Sequence, residues 1–164
     1  MTSIFDFQEV NSILNEAYKK NNAPSVTLIS ALKKTPYHIL ISALSSLRTK
    51  DQVTLEASMR LFEKADSIEE LAKLSENEIA QLIYPCGFYK TKAARMIEIC
   101  KILLTTNCGN IPDEIDELVK LPGVGRKTAN LVVILGFNKP GICVDTHVHR
   151  ISNRLGWVKT KNPD

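Results

Sequence analysis

At 164 residues and 44% hydrophobic, the chain can bury a sizeable core and form one domain, or one and part of another. No apolar run approaches the roughly 20 residues of a membrane-spanning helix. The start, Met1 to Asp6, has neither the basic residue nor the apolar core of an export signal, so a cytoplasmic protein is expected. The net charge of +3 is unevenly held. From Arg126 onward seven basic residues face two acidic ones, about +5, whereas the preceding part carries 14 basic and 16 acidic residues, −2. A basic C-terminal quarter suggests a polyanionic partner, most simply nucleic acid, with a solvated basic face as the plainer alternative. None of the four cysteines (Cys86, Cys100, Cys108, Cys143) stands at C-x-x-C spacing, so reduced, mostly buried thiols are expected rather than metal ligands.

In chain order, Phe7, Val10, Ile13, Leu14 and Tyr18 space as one face of an amphipathic helix. The run 26–32 suits a short strand or a short helix equally. Thr35-Pro36 opens a helix that is apolar on most sides and therefore central. It ends in the polar patch 45–50, after which Asp51 is placed to cap the next helix. Ser67-Ile68-Glu69-Glu70 and Ser75-Glu76-Asn77-Glu78 have the pattern of two successive capping boxes. Residues 85–89 form a turn displaying two aromatics, and a long helix follows, with Ala93 and Cys100 on its buried side. A helix over 112–120 leads to Leu121-Pro122-Gly123-Val124-Gly125-Arg126-Lys127-Thr128-Ala129-Asn130, then to an apolar helix that Gly136 is expected to end. Asp145 stands as the N-cap of a last helix. The expected fold class is all-α, with about nine short helices.

The decapeptide 121–130 packs a proline and two glycines into five residues between two helices. Glycines at alternate positions allow positive φ and close approach of another molecule. The next helix begins at about Gly125 or Arg126, so its unbonded amides and positive dipole end converge on the same spot. Together these make a phosphate seat; a turn serving packing alone is the competing reading. Lys127, in that helix's first turn, is a nucleophile once its proton is removed. Asp145, one element later, is placed to face it. Each has a plain alternative: a lysine near phosphate as counter-charge, an aspartate at an N-cap as cap.

These two stretches, 121–130 and Val144-Asp145-Thr146-His147-Val148-His149-Arg150, resemble the helix-hairpin-helix and Gly/Pro…Asp pattern of the endonuclease III family of DNA glycosylases. The resemblance runs from about Pro36 to Trp157. It implies a helix-hairpin-helix glycosylase fold, with a six-helix barrel-like domain and an incomplete second domain. Residues 1–34 would be an N-terminal helix and linker belonging to that second, cluster-type domain. Residues 35–136 would be the barrel, with the hairpin at 112–136, and 137–164 the aspartate helix and the start of a missing C-terminal region. It further implies a monomer acting on damaged double-stranded DNA, at the nucleoid in a prokaryote. The hairpin Gly123, Val124, Gly125 and Arg126 would hold a backbone phosphate. Lys127 would displace an oxidised pyrimidine through a Schiff base and β-elimination, and Asp145 would assist. A lysine at this place favours the bifunctional glycosylase and abasic-site lyase over relatives that use the aspartate with water.

Three departures from the family pattern stand out. Where many members place a glutamine that fills the gap left by the flipped base, this chain has Leu47 followed by Arg48. Phe88 occupies the place of a second, apolar wedge. Complete members carry a 4Fe-4S cluster on four C-terminal cysteines; no cofactor ligands are expected here, and the chain is expected to stop short of that region. The missing helices would explain an unclaimed apolar face on the first helix. His147 and His149 point to different sides of a helix and are not expected to bind metal. The alternatives to the bifunctional enzyme are a non-catalytic DNA-binding module and a monofunctional mismatch glycosylase.

Overall fold

The computed structural model describes residues 6–20, 24–33 and 35–163. Among these, ten helices form and no strand. They are α1 (Phe7–Lys20), α2 (Ser25–Leu32), α3 (Pro36–Ser46), α4 (Asp51–Lys64), α5 (Ile68–Leu71), α6 (Glu76–Ile83), α7 (Tyr89–Thr106), α8 (Ile115–Leu118), α9 (Arg126–Phe137) and α10 (Thr146–Arg154). The all-α expectation holds. The tenth helix is α2, the segment that composition left open between strand and helix; it turns Ser25, Val26 and Ile29 inward. The helices divide into two compact units, Pro24–Ile142 and the paired chain ends Met1–Ala23 with Cys143–Asp164.

In the larger unit the core forms around α3, of whose 11 residues the nine from Tyr37 to Ser45 are buried. Ile39, Leu40 and Ile41 are fully buried, each stabilising the fold by about 1.5–3 kcal/mol relative to exposure. Such a helix must satisfy its polar side chains internally, and it does. Ser42 and Ser45 donate to the carbonyls of His38 and Ile41, and the Tyr37 hydroxyl donates to the Ala65 carbonyl at 2.8 Å. His38 lies between the Thr35 hydroxyl and the Asp66 carboxylate, the latter at 2.7 Å. Thr35 caps the helix start, accepting from the His38 amide, with Pro36 in the first turn as expected. The most extensive packing of α3 is against α9.

Four local expectations are corrected. Asp51 is the first residue of α4 rather than its cap, and its carboxylate accepts from the Ser25 hydroxyl at 3.1 Å. Ser75 and Glu78 form a complete capping box, but Glu70 reaches past Ser67 to the Asp66 amide, leaving half a box at α5. The helix foreseen over 112–120 shrinks to the single turn α8. Finally, Gly136 lies inside α9, where a Cβ would sit 3.0 Å from the Pro36 Cα; Asn138, at φ 53°, makes the left-handed exit instead.

In the smaller unit α1 buries no residue, and Phe7, Ile13, Leu14 and Tyr18 are exposed. The Phe7 ring meets Trp157 edge-on at 4.9 Å. Asn153 braces the end of α10, donating to the His149 carbonyl at 2.9 Å and accepting from the Thr160 amide at 3.0 Å.

Candidate nucleic-acid interface and catalytic residues

The hairpin joins α8 to α9 through residues 119–125. Leu121 and Val124 point into the core and fix the turn from below. The Leu121 amide donates to the Leu118 carbonyl and the Val124 amide to the Leu121 carbonyl, both at 3.1 Å. Val124 was expected to offer its amide to a phosphate; that amide is engaged within the turn, and Val124 serves as the buried plug. Gly123 takes φ 77°, the left-handed conformation the turn requires, and the Arg95 side chain from α7 lies across it.

Gly125 is different. It is the N-cap of α9 at φ −88°, a conformation any residue adopts, and a Cβ built there would meet nothing within 4 Å among the described residues. Neither backbone geometry nor internal crowding calls for glycine. What glycine preserves is open space in front of the first turn of α9, whose amides have no intrahelical acceptors. Gly123, Gly125, Arg126 and Lys127 are all exposed on this side.

The ends of the hairpin are tied together by Lys139, which reaches Asp113 at 2.9 Å and Glu114 at 2.7 Å. These carboxylates raise the Lys139 pKa above its ordinary value, and Lys139 depresses that of Asp113. Lys139 therefore belongs to the hairpin's own bracing, and the basic quarter offers one cation fewer to a partner than its composition suggests. At the other face of α9, Asn130 donates to the Arg126 carbonyl at 3.0 Å and accepts from the Ile142 amide at 3.2 Å. It thus holds the segment that leads towards Asp145.

In the smaller unit Asp145 is the N-cap of α10, as its position suggested. One carboxylate oxygen accepts from the amides of His147 and Val148, both at 2.9 Å. That fixes the side chain's rotamer at the helix start.

The three gap-filling candidates lie in the larger unit. Leu47 ends α3, and Arg48 follows at φ 53°. Phe88, at φ 57°, precedes α7 and is 63% exposed, with the Arg48 guanidinium 5.6 Å from its ring centroid. These residues line an open cleft of about 440 Å³ whose wall also includes Lys92 and Arg95. Two residues that sequence reasoning missed are therefore here. Arg95 is a helix-surface charge with no local signal. Lys92 had one: it is a lysine on the stripe of α7 that carries Met96, Ile99 and Leu103 inward.

Of the four cysteines only two are buried, fewer than expected, and those two do not suit an iron–sulfur cluster; Cys108 is exposed and Cys143 half-buried. Cys86 and Cys100 are buried in the core, and burial pushes both thiols up, Cys100 to about 12, which opposes the thiolate a metal needs. Among the described residues no group of three or more His, Cys, Asp or Glu could hold a metal ion. Nor, among them, is any helix long and apolar enough to cross a membrane.

Residues 41–164 match the family described as HhH-GPD superfamily base excision DNA repair protein. The chain is similar to endonuclease III of Thermotoga maritima, 53% identical over 129 residues covering 79% of this chain and 61% of that protein. It is also similar to endonuclease III of Rickettsia felis, 36% identical over 157 residues covering 96% of this chain and 72% of that one. Among solved structures it resembles two complexes of endonuclease III with DNA, one non-covalent and one a trapped covalent intermediate. Each has a TM-score of 0.78 at 34% identity, covering 95% of this chain and 72% of the other.

Proposed function

This chain belongs to the HhH-GPD superfamily of base excision DNA repair proteins, and within it to the endonuclease III family; from that premise we propose that it is a DNA glycosylase and abasic-site lyase acting on oxidised pyrimidines in duplex DNA. The observation that carries this reading is the exposed Lys127 in the first turn of α9, two residues beyond the open space at Gly125. A phosphate taken up in that space brings its sugar to the lysine. The existence of an endonuclease III–DNA complex trapped as a covalent intermediate supports an enzyme-bound route.

The donors for the phosphate are the Gly123 and Gly125 amides and those of the first turn of α9, aided by Arg126 and the helix dipole. The damaged base is rotated out of the stack, at a cost of a few kcal/mol that is least for a damaged pair. Leu47, Arg48 and Phe88 take up the gap it leaves. The neutral Lys127 amine then forms a bond to the anomeric carbon while the glycosidic bond breaks, its electron pair leaving with the base, which takes up a proton. Asp145 accepts a proton from the amine and stabilises positive charge on the sugar. Opening of the sugar ring gives a Schiff base. That iminium draws electrons from the neighbouring carbon, so a proton leaves there and the 3′ phosphate departs by β-elimination. No step passes through a metal or cluster.

Borohydride reduction during reaction with a thymine glycol duplex tests this. A covalent protein–DNA adduct is expected, and Lys127→Gln abolishes it. Asp145→Asn retains a capping side chain and so keeps the fold, while lowering the trapping rate by about 100-fold or more. An adduct that survives Lys127→Gln refutes the assignment. Free base release without strand nicking supports a monofunctional glycosylase instead, and salt-sensitive binding with neither supports a DNA-binding module.

A further inference from the structure

Lys92 is the most deeply buried charged side chain among the described residues outside the mechanism, at 6% exposure. Its ammonium group has three protons and meets three acceptors: the Ser45 carbonyl at 2.7 Å, the Leu47 carbonyl at 2.7 Å and the Thr49 hydroxyl at 2.9 Å. The two carbonyls lie at the C-terminal end of α3, where a helix leaves its last carbonyls without donors and its dipole is negative. Lys92 therefore caps α3 from another helix. Thr49 extends the link, because its hydroxyl oxygen also accepts from the Gly87 amide at 3.0 Å. Gly87 in turn packs so closely that a Cβ there would run into the Arg48 carbonyl. The contact continues outward as the Arg48 guanidinium over the Phe88 ring.

One amine thus joins two turns that are distant in sequence, 47–50 and 85–88, and those turns carry Leu47, Arg48 and Phe88. Both Arg48 and Phe88 hold positive φ, which persists in non-glycine residues only where the surroundings over-determine it. The acceptors are carbonyls and a hydroxyl rather than a carboxylate, so the charge is spent on orienting backbone. Burial lowers the Lys92 pKa, consistent with a group held almost entirely out of solvent in the cleft wall.

We infer that Lys92 is a positioning residue that locks the two DNA-facing turns into a single preorganised wedge, and that its role is in extruding the base rather than in cutting the strand. This rests on the glycosylase–lyase reading. A wedge already ordered before binding loses no affinity to the ordering of two separate loops. Its benefit falls on the step that parts a paired base from the stack, and a pre-formed abasic site has no base to part.

Two substrates separate these steps: a thymine glycol duplex, on which base release is followed in single turnover, and a duplex with a pre-formed abasic site, on which nicking is followed. For Lys92→Met the expected result is base release slowed by about tenfold or more, with abasic-site nicking within about threefold of wild type. Lys92→Arg, which restores donors, recovers part of the loss. Thr49→Val removes the acceptor shared by Lys92 and Gly87 and decides the matter if Lys92→Met fails to fold: a smaller slowing, again confined to base release, is expected. Equal slowing on both substrates, or no slowing on either, overturns the inference. A wild-type protein that neither releases the base nor nicks the abasic site overturns the glycosylase–lyase reading itself, which is a different outcome.

Discussion

Alanine at Gly125 and alanine at Gly123 perturb the same turn for opposite reasons. At Gly123, φ 77° places an L-residue in the left-handed region, at a cost of about 1–2 kcal/mol. The Arg95 side chain, 2.9 Å from the added Cβ, is a flexible end that moves aside at little further cost. For a chain of this size that corresponds to a Tm lower by roughly 2–8 °C. At Gly125 the φ of −88° suits alanine, and the Cβ meets no atom of the described residues within 4 Å. Loss of the N-cap preference is offset by the reduced entropy of the unfolded chain, each about 0.5–1 kcal/mol, so Tm changes little. The methyl group instead occupies the space assigned to the phosphate. One lost charge-assisted hydrogen bond, about 1.5–3 kcal/mol, weakens binding by about 10- to 100-fold. Thermal melts by circular dichroism, paired with fluorescence anisotropy on a duplex bearing an uncleavable abasic analogue at fixed salt, measure both quantities. A Gly125→Ala protein that melts and binds like wild type refutes the phosphate seat. One that melts like Gly123→Ala shows instead that the glycine serves the fold.

Two stability predictions follow from polar groups in the larger unit. Ser58 is buried and its hydroxyl has no hydrogen-bond partner among the described residues, so Ser58→Ala should be neutral or stabilising by up to about 1 kcal/mol, seen as an unchanged or higher Tm; a clear fall in Tm would mean the hydroxyl is satisfied. Asp66 accepts from Lys33 and His38, and these hydrogen bonds lower its pKa below the ordinary 3.8. A carboxyl depressed in the folded state contributes stability above the unfolded value, and that contribution is lost as pH falls through the folded value. Asp66→Asn should therefore lower Tm near neutrality, with the gap to wild type closing below pH 3.8. A gap that stays constant through that window would show that the Asp66 charge does not stabilise the fold.

Periodic and capping signals carried far in this chain because α3, α6 and α7 are long or strongly marked and their helical pattern agrees with their packing. Thr35-Pro36 and the Ser75–Glu78 box are local chemistry, and local chemistry is written in consecutive residues. Most of the failures are tertiary. Asp51 spends its carboxylate on Ser25 and Lys139 its ammonium on Asp113, partners that no short window of sequence brings together, whereas Glu70 fails locally, its carboxylate passing over the Ser67 amide for the Asp66 amide next to it. Gly136 looked like a helix stop because glycine often is one; its actual reason, Pro36, lies far back in the chain. At the candidate site, the glycine turn and Lys127 were legible as a compact motif. Lys92 was legible only as an anomaly, a charge on an apolar stripe, and its three acceptors become visible only when α3 is set against α7.

The crossing of α3 with α9 has a kinetic consequence. Most helical proteins fold quickly because their contacts are local. Here the most buried helix, at 36–46, finds its largest partner at 126–137, with Gly136 admitting Pro36 at close range. Until α9 has been synthesised and docked, α3 exposes a face of isoleucine and leucine with nothing of its own to cover it. The larger unit should therefore complete its core late, and the amides of α3 and α9 should gain protection from hydrogen exchange together, after those of the neighbouring α6–α7 pair. The same helix that carries the candidate nucleophile would then also be the one that closes the fold.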